Sequence, residues 1–308
     1  MSAGRIVLIV FGAIFLLISI GMLIAGGALV WVNQDLTDSE GFITTDTITL
    51  DRNSYAITTH PADVDFKGWW RSRGVRCEPL TVRDEHSRYI LEVRAMENAR
   101  TETVRRSFER LFERHGLPMA IRSDNGSPFA SGQGLLGLSR LSVWWVALGI
   151  DLERGRPGRP QDNGAHERMH KDISRELEAI GESDQEALDV WRQTFNYERP
   201  HESLGMKRPA EVYRSSERKY EGTPEDLEYP QMCSRRVSPS GVISLDGQNI
   251  FLSNALAGWS VGLKPMAPDL LEVWLGRLPL GQIDPSTSSF VPADFAPKQT
   301  AAPPSSCG

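Results

Sequence analysis

The chain has 308 residues, of which 40% are hydrophobic and 24% are charged, and its formal net charge is −6. This length allows two small domains, or one domain with appendages. The ordinary hydrophobic and charged fractions exclude a chain that is disordered throughout. The negative net charge, taken alone, argues against nucleic acid as a partner.

The charge is unevenly distributed along the chain. Residues 65–220 carry 27 basic and 25 acidic groups, whereas residues 1–64 and residues 221–308 each have a net charge of −4. The central block is therefore slightly basic and rich in arginine, even before any metal ion neutralises its acidic groups. The three cysteines are scattered, with neither a disulfide framework nor paired metal-ligand spacing.

The first 64 residues contain a long apolar run. Residues 6–32 carry no charge over 27 residues, which exceeds the roughly 20 residues needed to cross a bilayer. We predict a single transmembrane helix there and a membrane localisation, in preference to a buried core helix or a cleavable signal peptide. Arg5 before the run and the acidic residues after it favour a cytoplasmic N-terminus. The rest of residues 1–64 predicts a short β-type segment.

From residue 66 the pattern changes to that of a compact α/β unit. Alternating apolar runs predict strands, and capping residues and glycines mark the starts and ends of helices. The predicted strands are residues 66–71, 79–83, 89–95, 119–123 and 150–153. The predicted helices begin at Thr101, at Leu135, at Asp162 or Asn163, and at Ser183.

The order of these elements is three antiparallel strands, helix, strand, helix, strand, helix and helix. It predicts a ribonuclease-H-like α/β fold, which is a mixed sheet with flanking helices. In such a sheet the first and fourth strands are neighbours, so we expect Asp65 and Asp124 to lie close together, with Glu167 on a helix beside them. Lys171 and Arg175 follow Glu167 at i+4 and i+8 on one helix face. These cations suit either a phosphate backbone passing a metal site or an exposed ion pair that supports the helix.

Several short motifs occur in this block in a characteristic order. They are Asp65-Phe66-Lys67-Gly68, Leu80-Thr81-Val82-Arg83-Asp84, Ile121-Arg122-Ser123-Asp124-Asn125-Gly126, residues 155–164 leading to Glu167, and Tyr197-Glu198-Arg199-Pro200-His201-Glu202-Ser203-Leu204. By these motifs, residues 65–220 resemble the integrase-core catalytic domain of DDE transposases, the group shared by bacterial insertion-sequence transposases and retroviral integrases. Residues 228–292, within a predicted domain of residues 221–292, resemble the small β-rich tail of such transposases, with a hairpin at Asp246-Gly247.

The resemblance implies a metal-dependent enzyme that acts on DNA. Asp65 would bridge two Mg²⁺ ions, for which Mn²⁺ can substitute, while Asp124 and Glu167 would hold one each. The implied reaction is DNA strand cleavage followed by strand transfer into target DNA, catalysed by a polynucleotidyl transferase that acts as a homo-oligomer. Lys171 and Arg175 would contact the DNA.

His166 and His170 lie four residues apart on the same predicted helix. This spacing is compatible with zinc, but no cysteine ligands accompany it. We therefore predict a structural or phosphate-facing role for both imidazole rings.

The region before Asp65 differs from that of DDE transposases, in which helix-turn-helix domains read the inverted repeats of the element. A hydrophobic helix and an acidic segment are predicted there instead, so we expect an in-frame fusion with impaired end-specific transposition. An alternative is a single-pass membrane protein whose transposase-derived part is a non-catalytic remnant, and the alternative localisation is cytoplasmic. A ribonuclease-H-like nuclease acting on RNA–DNA hybrids fits the C-terminal motifs poorly. Residues 293–308 are predicted to form a disordered tail.

Overall fold

The computed structural model describes residues 60–72, 75–154 and 164–293. The predicted membrane helix, most of the predicted β-type segment and nearly all of the predicted tail lie outside these ranges. Within them, no helix is both long enough and apolar enough to cross a membrane.

Seven strands fall in the first part of the described chain. They are β1 (Ala62–Phe66), β2 (Trp70–Ser72), β3 (Val75–Cys77), β4 (Pro79–Asp84), β5 (Ile90–Ala95), β6 (Ala120–Ser123) and β7 (Asp151–Arg154). β2 and β3 pair with each other, and the other five form one sheet in the order β5-β4-β1-β6-β7. β1 is antiparallel to β4 and parallel to β6, so the sheet is mixed.

Helices cover both faces of this sheet. They are α1 (Thr101–His115), α2 (Arg140–Ala147), α3 (Gly164–Glu176) and α4 (Gln185–Tyr197), followed by a short α5 (Pro209–Val212). Apolar side chains of α1 and α2 share a core with β1 and β4, whereas those of α3 and α4 share another with β5. The predicted mixed sheet with flanking helices is confirmed, and the sheet lies between two helical layers.

The first strand lies earlier in the chain than the predicted strand at residues 66–71. Ala62 and Val64 are buried against the helices α1 and α2, and the alternation along a strand turns Asp63 and Asp65 to the opposite face. Asp63 tolerates burial because it forms an ion pair with Arg83 of the neighbouring β4. The predicted position of this strand was therefore wrong. Local patterns do not show that Asp63 is buried, because its ion-pair partner Arg83 lies twenty residues further on in the chain.

Helix α2 is shorter than the helix predicted from residue 135. Leu135–Gly137 forms a separate 3-10 turn, and α2 begins only after Ser139. The Ser139 hydroxyl accepts a hydrogen bond from the backbone N–H of Ser142 at 3.1 Å, and the Ser142 side chain accepts one from the backbone N–H of Ser139. This reciprocal capping box sets the start of the helix.

The C-terminal part of the described chain is built of strands. They are β8 (Cys233–Arg236), β9 (Val242–Leu245), β10 (Gln248–Phe251), β11 (Ser260–Ala267), β12 (Leu270–Leu275), β13 (Leu278–Asp284) and β14 (Ser289–Pro292). Five of them form a sheet in the order β14-β13-β12-β11-β8. The predicted hairpin between β9 and β10 is confirmed, and its two turn residues, Asp246 and Gly247, have φ values of 49° and 80°. Two positive φ values in succession are those of a type I′ turn.

Helix α2 contributes to two of the three hydrophobic cores of the described residues. Its Trp144 and Trp145 are buried in the core of the mixed sheet. Its Val143 and Val146 are buried in the core of the β-rich part, with residues such as Val261. The two parts are therefore joined by one shared helix.

Candidate active site

The pairing of β1 with β6 brings two of the predicted acidic residues side by side along the backbone. The strands run parallel, and their last paired residues are Val64 and Ser123. Asp65 and Asp124 come next, and neighbouring strands are about 4.8 Å apart. Asp65 is half-buried and Asp124 is exposed. The predicted adjacency of the two strands is confirmed, while the catalytic role of the two carboxylates stays a prediction.

A half-buried arginine at the end of β7 holds the turn that carries Asp124. Arg154 Nη1 donates to Ser123 Oγ at 2.7 Å and to the Asp124 main-chain oxygen at 3.3 Å. Arg154 Nη2 donates to the main-chain oxygen of Phe129 at 3.0 Å. Burial lowers the pKa of Arg154 to about 10, against the raising effect of Asp124, so the guanidinium is still charged at neutral pH. The start and the end of this turn are thus bound to one side chain.

The helix α3 is attached to the sheet by a buried threonine. Thr81 stands opposite Asp65 in the pairing of β4 with β1, and its Oγ1 donates to the Asp65 main-chain oxygen at 2.9 Å. The same Oγ1 lies 2.6 Å from His166 Nε2 and 2.8 Å from His170 Nε2. The strand of Asp65 and the first turns of α3 therefore meet at one hydroxyl group.

Both histidines of α3 are neutral at pH 7. Burial lowers the pKa of His166 well below its usual value, and His170 and Arg83 lower it further. Burial likewise lowers the pKa of His170 to about 4, together with the positive charges of Lys67 and Arg83. Their hydrogen bonds to Thr81 support the predicted structural role and not zinc binding.

The third predicted acidic residue and the two predicted DNA contacts lie on the outer side of α3. Glu167 is in the first turn of the helix, where a negative charge is favourable, and its side chain is exposed. Lys171 and Arg175 are also exposed. Arg175 Nη2 donates to Asp172 Oδ1 at 2.9 Å and to Glu176 Oε1 at 3.2 Å, so neighbouring carboxylates already balance part of its charge.

The residue types of the predicted site fit a hard divalent cation. Asp65, Asp124 and Glu167 supply carboxylate oxygens only, which are the ligands that Mg²⁺ prefers. Among the residues that the structure describes, however, no group of three or more His, Cys, Asp or Glu side chains is arranged to hold a metal ion. The fold thus brings the strands of Asp65 and Asp124 together, and the three carboxylates do not form a ready-made cluster.

Comparison with known families covers the same part of the chain. Two family models described as integrase core domain match residues 62–160 and residues 148–209. These matches support a DDE transposase catalytic domain. The matched residues include β1, β6 and α3, and with them Asp65, Asp124 and Glu167.

The curated relatives come from bacterial insertion elements. An uncharacterized 31.7 kDa protein of insertion element IS407 from Burkholderia multivorans is 25% identical over 173 residues, which is 53% of this chain and 60% of the relative. An uncharacterized 39.2 kDa protein of insertion element IS476 from Xanthomonas euvesicatoria is 28% identical over 158 residues, which is 50% of this chain and 43% of the relative. The chain thus spans less than two thirds of the length of either relative.

Solved structures of retroviral integrases are also similar. The HTLV-2 integrase catalytic core domain in complex with magnesium, in its trimeric form, aligns with 51% of this chain and 98% of its own, at 15% identity and a TM-score of 0.41. A simian T-cell lymphotropic virus intasome in complex with the PP2A regulatory subunit B56 gamma aligns with 72% of this chain and 78% of its own, at 15% identity and a TM-score of 0.42.

The polar side chains that support the mixed sheet and its helices were not all visible in the sequence. Lys67, within the first motif, is buried and donates to Glu178 Oε2 at 2.8 Å, while its ammonium group lies 4.5 Å from the centre of the Trp70 ring. Thr81 also lies within a quoted motif, and Arg154 lies just before another. The position of these residues inside or beside a motif was the available sign of their importance. Their contacts could not be predicted, because each hydrogen-bond partner is distant in the chain or is a main-chain atom.

Proposed function

We propose that this chain contains the catalytic domain of a DDE transposase that cleaves DNA strands and transfers them into target DNA. The observation that carries the proposal is the parallel pairing of β1 and β6, which sets Asp65 beside Asp124 within the matched integrase core. Helix α3, which carries Glu167, is hydrogen-bonded through Thr81 to the face of the sheet on which the Asp65 side chain lies. The proposed boundaries are residues 65–220 for this domain, extended to Ala62 by β1, and residues 221–292 for the β-rich domain.

Three carboxylates would hold two divalent ions in this proposal. Asp65, Asp124 and Glu167 would hold the ions, because carboxylate oxygens are the preferred ligands of Mg²⁺ and Mn²⁺. When bound, the ions supply activation of the attacking oxygen and stabilisation of the leaving oxygen. The protein positions the phosphodiester and the carboxylates. Arg154 keeps the Asp124 turn in place, and Thr81 connects the Asp65 strand to α3.

DNA is the proposed substrate and partner. Lys171 and Arg175 are exposed on the helix of Glu167, where they would neutralise phosphate groups that pass the site. Arg175 would have to exchange its contacts with Asp172 and Glu176 for DNA phosphates. By the resemblance to DDE transposases, we also propose that the chain self-associates when it acts.

A second candidate function follows from the apolar run at residues 6–32. In the leading proposal the chain catalyses strand transfer, but its end-specific transposition is impaired. In this alternative the chain is a single-pass membrane protein whose transposase-derived part is a non-catalytic remnant. A topology reporter fused after Gly308 separates the two proposals. If the reporter lies on the exported side, the integrase core has no access to DNA and the alternative is favoured. If the reporter lies in the cytoplasm, the result is compatible with activity.

The proposed chemistry can be tested without knowing the ends of the element. The purified full-length chain is expected to nick a supercoiled plasmid in the presence of Mn²⁺ or Mg²⁺, and chelation of the metal should abolish nicking. The Asp124→Asn variant removes one negative charge at nearly unchanged size, so we expect it to lose at least about 10-fold in rate. Equal nicking by the variant and the wild type would contradict the proposed role of Asp124.

A further inference from the structure

The buried hydroxyl of Thr81 connects two of the three predicted acidic residues. Thr81 is fully buried and stands opposite Asp65 in the pairing of β4 with β1. Its Oγ1 donates to the Asp65 main-chain oxygen at 2.9 Å, and it lies within 2.8 Å of both His166 Nε2 and His170 Nε2. Glu167 follows His166 directly in the chain. One oxygen atom therefore joins the strand of the first carboxylate to the helix of the third.

The number of available protons determines which group donates and which accepts in each of these hydrogen bonds. A hydroxyl has one proton to donate and two lone pairs that accept. A carbonyl oxygen only accepts, so the Thr81 proton must go to Asp65. Both histidines must then donate to Thr81 through Nε2–H. The hydroxyl is thereby saturated, and neither Nε2 atom has a lone pair left for a metal ion.

These two contacts fix the helix in more than one direction. His166 and His170 are one turn apart and lie on the same face of α3. Two anchors at successive turns restrict both the rotation of the helix and its sliding along the sheet. His166 is completely buried, and its Nδ1 atom has no hydrogen-bond partner in the described part of the chain. The Nε2–H bond to Thr81 is therefore the hydrogen bond that orients this ring, next to Glu167.

We propose that Thr81 is a positioning residue that sets Asp65 and Glu167 relative to each other for binding of divalent metal ions. This inference rests on the proposed function, because it concerns the same carboxylates. Thr81 itself touches neither substrate nor metal. It acts through the main chain of Asp65 and through the two histidines of α3.

The first test separates the hydroxyl of Thr81 from its shape. Thr81→Val keeps the shape and removes the hydroxyl, whereas Thr81→Ser keeps the hydroxyl and removes a methyl group. Binding of Mn²⁺ to the full-length chain is followed by electron paramagnetic resonance of the free ion. We expect Thr81→Val to weaken binding about 10- to 100-fold, and Thr81→Ser to bind nearly as the wild type does. Thr103→Val is the matched control, because it removes a hydroxyl that bonds to Asn98 and not to the site.

The second test reads the histidines directly in the wild-type chain. With ¹⁵N-labelled histidine, nuclear magnetic resonance distinguishes the Nε2–H tautomer from the Nδ1–H tautomer. We expect His166 and His170 to be Nε2–H tautomers, with signals that change in Thr81→Val and persist in Thr81→Ser. An Nδ1–H tautomer at either residue would overturn the proposal, since Thr81 could not then accept a hydrogen bond from that ring.

The outcomes also distinguish this inference from the proposed function. Unchanged Mn²⁺ affinity in a folded Thr81→Val variant would overturn the positioning role. If the wild-type chain itself binds no Mn²⁺, the proposed function fails, and the tautomers still decide whether Thr81 joins the strand to the helix. If Thr81→Val does not fold, the comparison of Thr81→Ser with the wild type and the wild-type tautomers decide the question.

Discussion

At the scale of single residues, the predicted site depends on side chains that bind the main chain around the carboxylates. Thr81 and Arg154 each donate to the main-chain oxygen of a predicted acidic residue or of its turn. These contacts use main-chain oxygens and do not involve the carboxylate oxygens. They also explain why an exposed residue such as Asp124 can have a defined position.

Arg154→Met is expected to release the turn between Asp124 and Phe129. Methionine fills much of the same space, but it cannot donate the three hydrogen bonds of the guanidinium group. We expect metal-dependent plasmid nicking to fall about 10- to 100-fold, and amide hydrogen exchange to become faster across this turn. Arg140→Met, at an exposed arginine that starts α2, is the matched control. Slow exchange across the turn in Arg154→Met would contradict the prediction.

At the scale of elements, local patterns predicted the order of the helices and of the five strands of the mixed sheet, but neither the exact strand boundaries nor the separate pair of β2 and β3. The hairpin at Asp246-Gly247 follows from two turn residues alone, so the prediction was right. The start of β1 depends on Asp63, which reads as a surface residue until Arg83 and Arg122 from two neighbouring strands are known. The same limit applied to the site. The adjacency of the strands of Asp65 and Asp124 followed from the predicted strand order, whereas the contact between Thr81 and α3 joins positions 85 residues apart.

The buried ion pair of β1 leads to a prediction about stability. The side chains of Asp63 and Arg83 are each 4% exposed, and Arg122 Nη1 lies 3.5 Å from Asp63 Oδ1. Burial raises the pKa of Asp63, while the charge of Arg83 acts in the opposite direction. Asp63→Ala leaves buried arginine charge without its partner, so we expect it to lower the free energy of unfolding by about 3–5 kcal/mol.

Urea unfolding at neutral pH measures this difference. The control is Arg236→Ala, which breaks the more exposed ion pair with Asp226 and is expected to cost at most about 1 kcal/mol. A loss as small as that of the control for Asp63→Ala would show that the buried pair is not needed for the position of β1.

At the scale of the whole molecule, the shared helix α2 connects the mixed sheet to the β-rich part. Its tryptophans lie in one core and its valines in the other. A substitution that weakens the packing of α2 in one core should therefore also destabilise the other core. The described residues between 60 and 293 are expected to unfold cooperatively in spite of their two five-stranded sheets.

Val143→Ala tests this coupling. Val143 is fully buried in the core of the β-rich part, and its truncation is expected to cost about 1–3 kcal/mol. We expect amide protection to fall by similar factors in β12 and in β1, because both sheets depend on α2. Val190→Ala, at a position 61% exposed on α4, is expected to change stability by less than about 0.5 kcal/mol. Loss of protection in β12 alone would mean that the two sheets unfold independently.

The division of α2 between two cores has a consequence for synthesis on the ribosome. The helix ends at Ala147, but the strands that cover its valines are completed only at Asp284. At ~5–20 residues per second, translation of the intervening segment takes about 7 to 27 seconds. During that interval the valines of α2 form an uncovered hydrophobic surface on the nascent chain. We therefore expect chaperones to bind the nascent chain at this stage, and the chain to aggregate when chaperones are scarce.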